Sequence, residues 1–166
     1  TTKKHWKLYE KKQITYKEQG AQRVIDVWKI FEKSISKNEA SKIFSQYLLL
    51  CKMYWKPFTY VIDVLKKLYF DGLMIGIISN GNTKQQLNKL RYLKINRYLN
   101  KKLIFISEEV GYAKPHPQIF LRAQKLAKVK PSELLIIGNH QTNDINPGKK
   151  LGWNVLHIKN NGIMTM

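Results

Sequence analysis

The hydroxyl of Ser79, the ammonium of Lys114 and the carboxylate of Asp144 each follow a short apolar stretch of the chain. An apolar run that stops at small polar residues is typical of a buried parallel strand whose carboxyl end opens into a site. Ligands of open parallel sheets bind at those carboxyl ends. The three groups could therefore converge where an anion and a metal ion would bind.

Three segments carry these residues: Ile78-Ser79-Asn80-Gly81, Ser107-Glu108-Glu109-Val110-Gly111-Tyr112-Ala113-Lys114-Pro115 and Gly138-Asn139-His140-Gln141-Thr142-Asn143-Asp144. In this order they resemble the second, third and fourth motifs of the haloacid dehalogenase (HAD) superfamily, specifically of its phosphatase and nucleotidase members with a helical cap. The resemblance covers residues 57–160 well and the first 56 only loosely.

The resemblance implies phosphoryl transfer through an aspartyl-phosphate, a covalent route that splits one difficult step into two. It assigns Ser79, Asn80, Gly81 and Lys114 to phosphate binding and makes Ser79 and Lys114 catalytic. Fixed donors of this kind meet the charge on the transferring oxygens. Without the other motifs, Ser79 could instead cap the next helix and Lys114 could be an ordinary loop lysine.

The fourth segment implies a magnesium site held by Asp144 and Asn139. Magnesium prefers carboxylate oxygen and keeps several waters. The phosphatase members have an aspartate where this chain has Asn139, so we expect weakened or lost Mg²⁺ binding. His140 could be a ligand or an acid, although a lone histidine is more often structural. Asp144 could also act as a helix cap.

The first family motif, an Asp-x-Asp that carries the nucleophile, has no counterpart here. Asp26, Asp63 and Asp71 are the aspartates before Ser79, and none follows an apolar strand with a second acid two residues on. In the resembled fold this motif ends a central strand between those that end at Ser79 and Ile137. We expect a chain that begins mid-protein, with the strand supplied by an upstream segment or a second chain, because unpaired buried backbone is costly.

Helical periodicity and few breakers predict a partial helical cap over residues 1–56, followed by a partial α/β core over residues 57–166. The predicted cap helices are a first one from Trp6 to Tyr16 and two with these apolar stripes: Val24, Trp28, Phe31 and Ile35 after Gly20, and Ile43, Tyr47, Leu50 and Tyr54 after Ser36, Asn38 or Ser41. Alternating strands and helices after Pro57 predict a parallel Rossmann-like sheet with helices on both faces, its central first strand absent from this chain.

Charge is the strongest compositional signal: 30 Lys and Arg oppose 11 Asp and Glu, for a net charge of +19. The excess is spread over both parts of the chain, which favours solvated faces and nonspecific polyanion binding over a dedicated nucleic-acid domain. One cysteine, Cys51, excludes an internal disulfide and fits a reducing compartment. No long apolar run or signal segment is evident, so we expect a cytoplasmic protein without a membrane partner.

The sequence thus predicts a HAD-type phosphohydrolase for a small phosphorylated metabolite or nucleotide, present as a fragment that lacks its nucleophile and is inactive alone. One alternative is a catalytically inactive module that binds a protein partner or polyanion. Another is a dehalogenase-like hydrolase that needs no metal. In the cap, Arg23 could reach an anionic substrate or be a surface residue. Trp55, Phe58 and Tyr60 could stack on a base or belong to the core.

Overall fold

The computed structural model describes residues 2–158 and 164–165. Three helices come first, and strands then alternate with helices as predicted. The helices are α1 (Thr2–Glu10), α2 (Tyr16–Ile30), α3 (Lys37–Met53), α4 (Val61–Phe70), α5 (Thr83–Tyr92), α6 (Ser107–Val110), α7 (Pro117–Ala127) and α8 (Asn146–Lys150). The strands are β1 (Ile77–Ser79), β2 (Ile104–Ile106), β3 (Leu135–Gly138), β4 (Asn154–Ile158) and β5 (Met164–Thr165).

Capping residues fix the starts of the two long cap helices. Thr15 begins α2 and Ser36 begins α3, each in a capping box with a glutamate three residues later. The helices pack closely at Gly20, where a Cβ atom would lie 2.1 Å from the Phe44 ring. A small residue is therefore required at this contact.

The predicted apolar stripes of the cap are wrong in part. Helix α2 starts four residues before Gly20 and ends before Phe31 and Ile35. In α3 the buried residues are Ala40 and Phe44, and Phe44 lies one residue after Ile43 of the predicted stripe. Four large apolar residues of the predicted stripes are exposed: Phe31, Tyr47, Leu50 and Tyr54. Periodicity found the helices but misjudged the buried face, because Gly20 and Ala40 allow close packing without a large side chain.

The strands form two separate sheets. Strand β1 pairs in parallel with β2, with Ile78 opposite Phe105. Strand β3 pairs in parallel with β4, with Ile136 opposite Val155, and β4 pairs antiparallel with β5. Within the described residues, β1 and β3 are not hydrogen-bonded to each other. The sheet is thus divided between the strand that ends at Ser79 and the strand that carries Ile137.

Strand β1 is covered on both faces. Successive side chains of a strand point to opposite faces of the sheet. Ile78 packs against the core cluster that contains Phe120 of α7, while Ile77 packs against a second cluster around Leu90 of α5. Helices therefore lie on both faces of this half of the sheet, as the sequence predicted.

Strand β3 is covered on one face only. Ile136 is buried in the cluster with Phe120. Its neighbours Leu135 and Ile137 point to the other face and are 55% and 46% exposed. An apolar strand normally buries both faces in a parallel sheet.

The α/β class and the parallel strand pairing are confirmed, and the division into a cap over residues 1–56 and a core over residues 57–166 stays a prediction. The short antiparallel strand β5 was not predicted. The absence of a central strand from the chain stays a prediction. In the part of the chain that the structure describes, no helix combines the length and apolarity that a membrane crossing requires.

Candidate functional site

A lysine and an aspartate from the two halves of the sheet form an ion pair. Lys114 lies in the loop after α6, and Asp144 lies in a π-helical turn (Gln141–Ile145) after β3. Lys114 Nζ donates to Asp144 Oδ1 at 2.5 Å, and the side chains are only 16% and 8% exposed. Burial strengthens the attraction because little water screens it. The two groups therefore converge as the sequence predicted.

Asn80 holds the backbone of Lys114 at the end of β1. Asn80 Nδ2 donates to the Lys114 carbonyl at 2.8 Å, and the Lys114 N–H donates to Asn80 Oδ1 at 2.7 Å. One amide side chain thus satisfies both backbone polar groups of the lysine, much as a paired strand would. The Asn80 side chain positions Lys114 in this structure.

Backbone groups and a glycine fix the Asp144 carboxylate. The N–H of His140 donates to Asp144 Oδ2 at 3.1 Å, and the N–H of Asp144 donates to the His140 carbonyl at 2.8 Å. A Cβ atom on Gly138 would lie 2.5 Å from Cβ of Asp144 and 2.7 Å from Oδ2. Only glycine at position 138 leaves room for the carboxylate.

Ser79 and Gly81 lie on either side of Asn80. The Gly81 N–H donates to Ser107 Oγ at 3.0 Å. Gly81 has a φ of +151°, a backbone conformation that favours glycine, and a Cβ atom there would also displace the Gln86 side-chain amide, which lies 2.6 Å away. Within the described residues the Ser79 hydroxyl has no hydrogen-bond partner, so it is available to an oxyanion.

The residues present do not complete a magnesium site. Among the described residues of the fourth segment, Asp144 is the one carboxylate, and its two oxygens already accept hydrogen bonds from Lys114 and from the His140 N–H. Asn139 is exposed, and its carbonyl lies 3.2 Å from His157 Nε2. No cluster of three His, Cys, Asp or Glu side chains suited to a metal occurs among residues 2–158. A magnesium ion would need further oxygen ligands.

Arg23 lies near the contact between the cap and the core. The Tyr16 hydroxyl donates to Gln85 of α5 at 2.7 Å. Burial raises the pKa of this hydroxyl, whereas the Gln85 hydrogen bond and the Arg23 charge oppose that rise. Arg23 therefore acts electrostatically on a residue that touches the core. A substrate contact by Arg23 stays a prediction.

The aromatic residues near the end of the cap do not form one group. Phe58 is exposed and stacks on Tyr60 with ring centroids 6.2 Å apart. Trp55 instead packs edge-on against Tyr92 of α5 at 5.8 Å. Trp55 thus joins the cap segment to the outer side of α5.

Sequence reasoning quoted Glu108 but missed its role. Its carboxylate accepts hydrogen bonds from the Tyr9 hydroxyl at 2.6 Å, the Thr83 N–H at 2.7 Å and the Asn82 amide at 3.0 Å. Burial alone would raise the pKa of Glu108, but these hydrogen bonds hold it below its usual value. Burial and the bond to Glu108 raise the Tyr9 pKa. The signal that could have indicated this role is the preference of a carboxylate for the N-terminal start of a helix, here that of α5.

A cleft of about 670 Å³ lies between the cap and the core beside this contact. Residues 9, 10 and 12–18 of the cap line one side. Asn82, Ser107, Glu108, Gly111 and Ala113 line the other. The cleft reaches the residue before Lys114 but not Lys114 itself.

Residues 1–158 match the family described as haloacid dehalogenase-like hydrolase. The chain is 33% identical over 106 residues to a glyceraldehyde 3-phosphate phosphatase of Methanopyrus kandleri, covering 64% of this chain and 45% of that protein. It is 34% identical over 108 residues to the Pyrococcus furiosus protein of the same name, covering 61% and 44%. The chain thus spans less than half the length of these relatives.

Solved structures agree on the fold. The HAD-hydrolase YfnB from Bacillus subtilis, solved with bound magnesium, superposes with a TM-score of 0.71 at 21% identity, covering 93% of this chain and 65% of that one. A HAD phosphatase from Thermococcus onnurineus gives a TM-score of 0.61 at 22% identity, covering 86% and 78%. A dehalogenase solved with an intermediate gives 0.71 at 18% identity, covering 98% and 71%.

Proposed function

The chain belongs to the haloacid dehalogenase-like hydrolase family, and we propose that it is the Lys114-bearing part of a phosphohydrolase for a small phosphorylated metabolite. The ion pair between Lys114 and Asp144, at the carboxyl ends of the divided sheet, carries this proposal. The relatives named glyceraldehyde 3-phosphate phosphatase support a small sugar phosphate as the substrate class. A nucleotide remains the alternative substrate.

In this proposal Lys114 neutralises charge on the phosphoryl oxygens and on the attacking carboxylate. Asn80 keeps its ammonium in place through the two backbone hydrogen bonds. The Ser79 hydroxyl donates to one phosphoryl oxygen, and the backbone that follows it supports the anion. Asp144 holds Lys114 until the substrate arrives. Magnesium would supply further charge neutralisation, and no step is assigned to it here.

The nucleophile comes from a strand that lies between β1 and β3. Two observations support this placement: within the described residues β1 and β3 each have one edge without a paired strand, and Leu135 and Ile137 of β3 are exposed. An apolar parallel strand would satisfy the backbone of both edges. If it ends in Asp-x-Asp, its carboxylates reach the carboxyl end of the sheet, where Lys114 lies. We propose an upstream segment of a longer protein as its source.

The test compares the chain alone with a completed chain. The completed chain carries an apolar strand ending in Asp-x-Asp, joined by a flexible Gly/Ser linker ahead of Thr1. Hydrolysis of p-nitrophenyl phosphate and glyceraldehyde 3-phosphate is measured with magnesium present. We expect turnover only from the completed chain. Strong turnover by the 166 residues alone would contradict the proposal.

Two matched variants of the completed chain assign the roles. An added strand ending in Asn-x-Asn keeps the sheet but removes the nucleophile, so turnover should vanish while the fold persists. Lys114→Ala should lower kcat by at least about 100-fold, because one charge-stabilising donor is lost. Lys125→Ala, a change at an exposed lysine of α7, should leave kcat unchanged.

One observation favours a second function, that of an inactive binding module. The position expected to hold a second metal-binding carboxylate is Asn139, and Asp144 is already engaged. If the completed chain folds but neither substrate is hydrolysed, this function gains support. Capture of a defined partner by both wild type and Lys114→Ala would then establish it.

A further inference from the structure

One surface segment of the chain is strongly and uniformly basic. No Asp or Glu occurs between Asp71 and Glu108. All basic residues of this interval lie within residues 84–102, which we call the basic face. They are Lys84, Lys89, Arg91, Lys94, Arg97, Lys101 and Lys102, and all are exposed.

The local fold places these cations on the outside of the molecule. The segment contains α5 and two 3₁₀ turns, Asn96–Tyr98 and Lys101–Leu103. Its aliphatic residues pack inward, and Leu90, Ile95 and Leu99 form the buried cluster beneath it. The basic side chains between them therefore project on the solvent side of one continuous segment.

Within the described residues, none of these seven cations is paired with a carboxylate. The ion pairs among residues 2–158 involve Lys37, Lys67, Lys114 and His5 instead. Arg91 donates to the Asn88 side chain, and Arg97 donates to the Lys94 carbonyl. These contacts orient the guanidinium groups but leave their charge available to an external anion.

Aromatic rings are interleaved with the cations. Tyr92 is 52% exposed and packs edge-on against Trp55, with centroids 5.8 Å apart. Lys89 Nζ lies 5.9 Å from the centre of the Trp55 ring, and the Arg97 guanidinium lies 5.8 Å from that of Tyr98. Cation–aromatic pairs of this kind hold the rings in place beside positive charge.

We propose that the basic face binds single-stranded nucleic acid. Unpaired cations would meet the phosphate backbone, and Tyr92 with Trp55 would offer a surface on which unpaired bases stack. An anionic membrane is a poorer match, because the aliphatic side chains of the segment are turned inward to the core. The binding is separate from phosphohydrolase activity, since Lys114 and Asp144 lie outside the segment.

The test uses labelled single-stranded oligouridylate and oligothymidylate of about 12 nucleotides. Fluorescence anisotropy is measured across a range of salt concentrations. The quadruple variant K84Q/R91Q/K101Q/K102Q should bind at least about tenfold more weakly. The slope of the logarithm of the binding constant against the logarithm of the salt concentration should become less steep by up to about 3. Each of the four lost phosphate contacts contributes roughly 0.7 to this slope.

The control K125Q/K130Q/K149Q/K150Q removes the same net charge from exposed lysines elsewhere. It should keep most of the affinity and the slope. An equal loss in both variants would overturn the proposal, because total charge rather than this face would then explain binding. Circular dichroism confirms that each variant is folded.

Two further measurements distinguish stacking from simple charge attraction. Tyr92→Leu should weaken binding by about fivefold or more, whereas Tyr92→Phe keeps the ring and should bind normally. Phosphatidylserine vesicles test the membrane alternative. Vesicle binding that depends on the basic face, without measurable binding of either oligonucleotide, would overturn the proposal.

Discussion

The two halves of the divided sheet differ in how completely they are covered. Strand β1 has packed apolar neighbours on both faces, through Ile77 on one and Ile78 on the other. Strand β3 buries Ile136 but leaves Leu135 and Ile137 exposed. The first half supplies Ser79 and its loop, and the second supplies the carboxylate of the site.

This difference shows what the second half lacks. The β1 half has apolar neighbours packed on both of its faces, as in a parallel sheet, whereas the β3 half leaves one apolar face exposed. Among the described residues, each half also has an edge strand without a partner on one side. The ion pair between Lys114 and Asp144 crosses the division at the carboxyl ends. The comparison therefore predicts that substitutions will have unequal effects on the two sides.

The largest effect is expected at the ion pair. Asp144→Ala leaves the mostly buried Lys114 ammonium without its partner, which should lower the free energy of unfolding by about 3–4 kcal/mol. Urea denaturation of the pure chain measures this loss. The double variant K114M/D144N removes both charges and should recover much of it. A loss below about 1 kcal/mol in Asp144→Ala would show that the pair does not hold the halves together.

Neighbouring isoleucines of β3 test the contrast between its two faces. Ile136→Ala should lower the free energy of unfolding by about 2–3 kcal/mol, because a packed side chain is removed from the core. Ile137→Ala removes the same atoms from an exposed face and should cost well under about 1 kcal/mol. Equal losses in urea denaturation would mean that the second face of β3 is covered after all.

Glu108 tests the contact between the cap and the covered half. Glu108→Gln should destabilise the chain by about 1–2 kcal/mol, since hydrogen bonds to a charged acceptor are lost. Glu109→Gln, at an exposed neighbour, should have little effect. Thermal unfolding of the two variants at neutral pH makes the comparison.

The pH dependence follows from the lowered pKa of Glu108. A group whose pKa is lowered by folding contributes its full stability above its unfolded pKa, about 4.3 for glutamate. That contribution is lost as the pH falls through the lower folded value. The difference in stability between wild type and Glu108→Gln should therefore shrink below about pH 4. A difference that stays constant to pH 3 would contradict this assignment.

The smallest effect concerns magnesium in the second half. Asn139→Asp adds a carboxylate next to the turn that carries Asp144, so Mg²⁺ affinity should rise by about fivefold or more. Isothermal titration calorimetry of both proteins measures the change. Asn143→Asp in the same turn adds the same charge and serves as the control. If Asn139→Asp raised the Mg²⁺ affinity no more than this control does, position 139 would not belong to the metal site.

Much of the core could be predicted from the sequence because local patterns determine it. The run around Ile78 and the run around Ile136 are short, apolar and bounded by small residues, and both are strands. The motifs also predicted that Lys114 and Asp144 would meet. Parallel strands bring their carboxyl ends to one edge, so this contact follows from topology.

The rest depends on packing between elements that are distant in the chain. The buried face of the cap is set by the contact of Gly20 with Phe44, which an apolar stripe does not reveal. The role of Glu108 arises from Tyr9, 99 residues away. The basic face was not predicted, because counting charged residues over the two parts of the chain shows an excess of Lys and Arg in both. The segment differs from the rest of the chain only in that no Asp or Glu occurs between Asp71 and Glu108.

The most direct test of the missing central strand is amide hydrogen exchange of β1 and β3. Exchange is measured by NMR for the chain alone and for the chain that carries the strand ending in Asp-x-Asp. The account predicts that amides of β1 and β3 become protected together, with little change in the helix α7 that already packs on both. Unchanged exchange at both strands in a folded, completed chain would contradict the central claim.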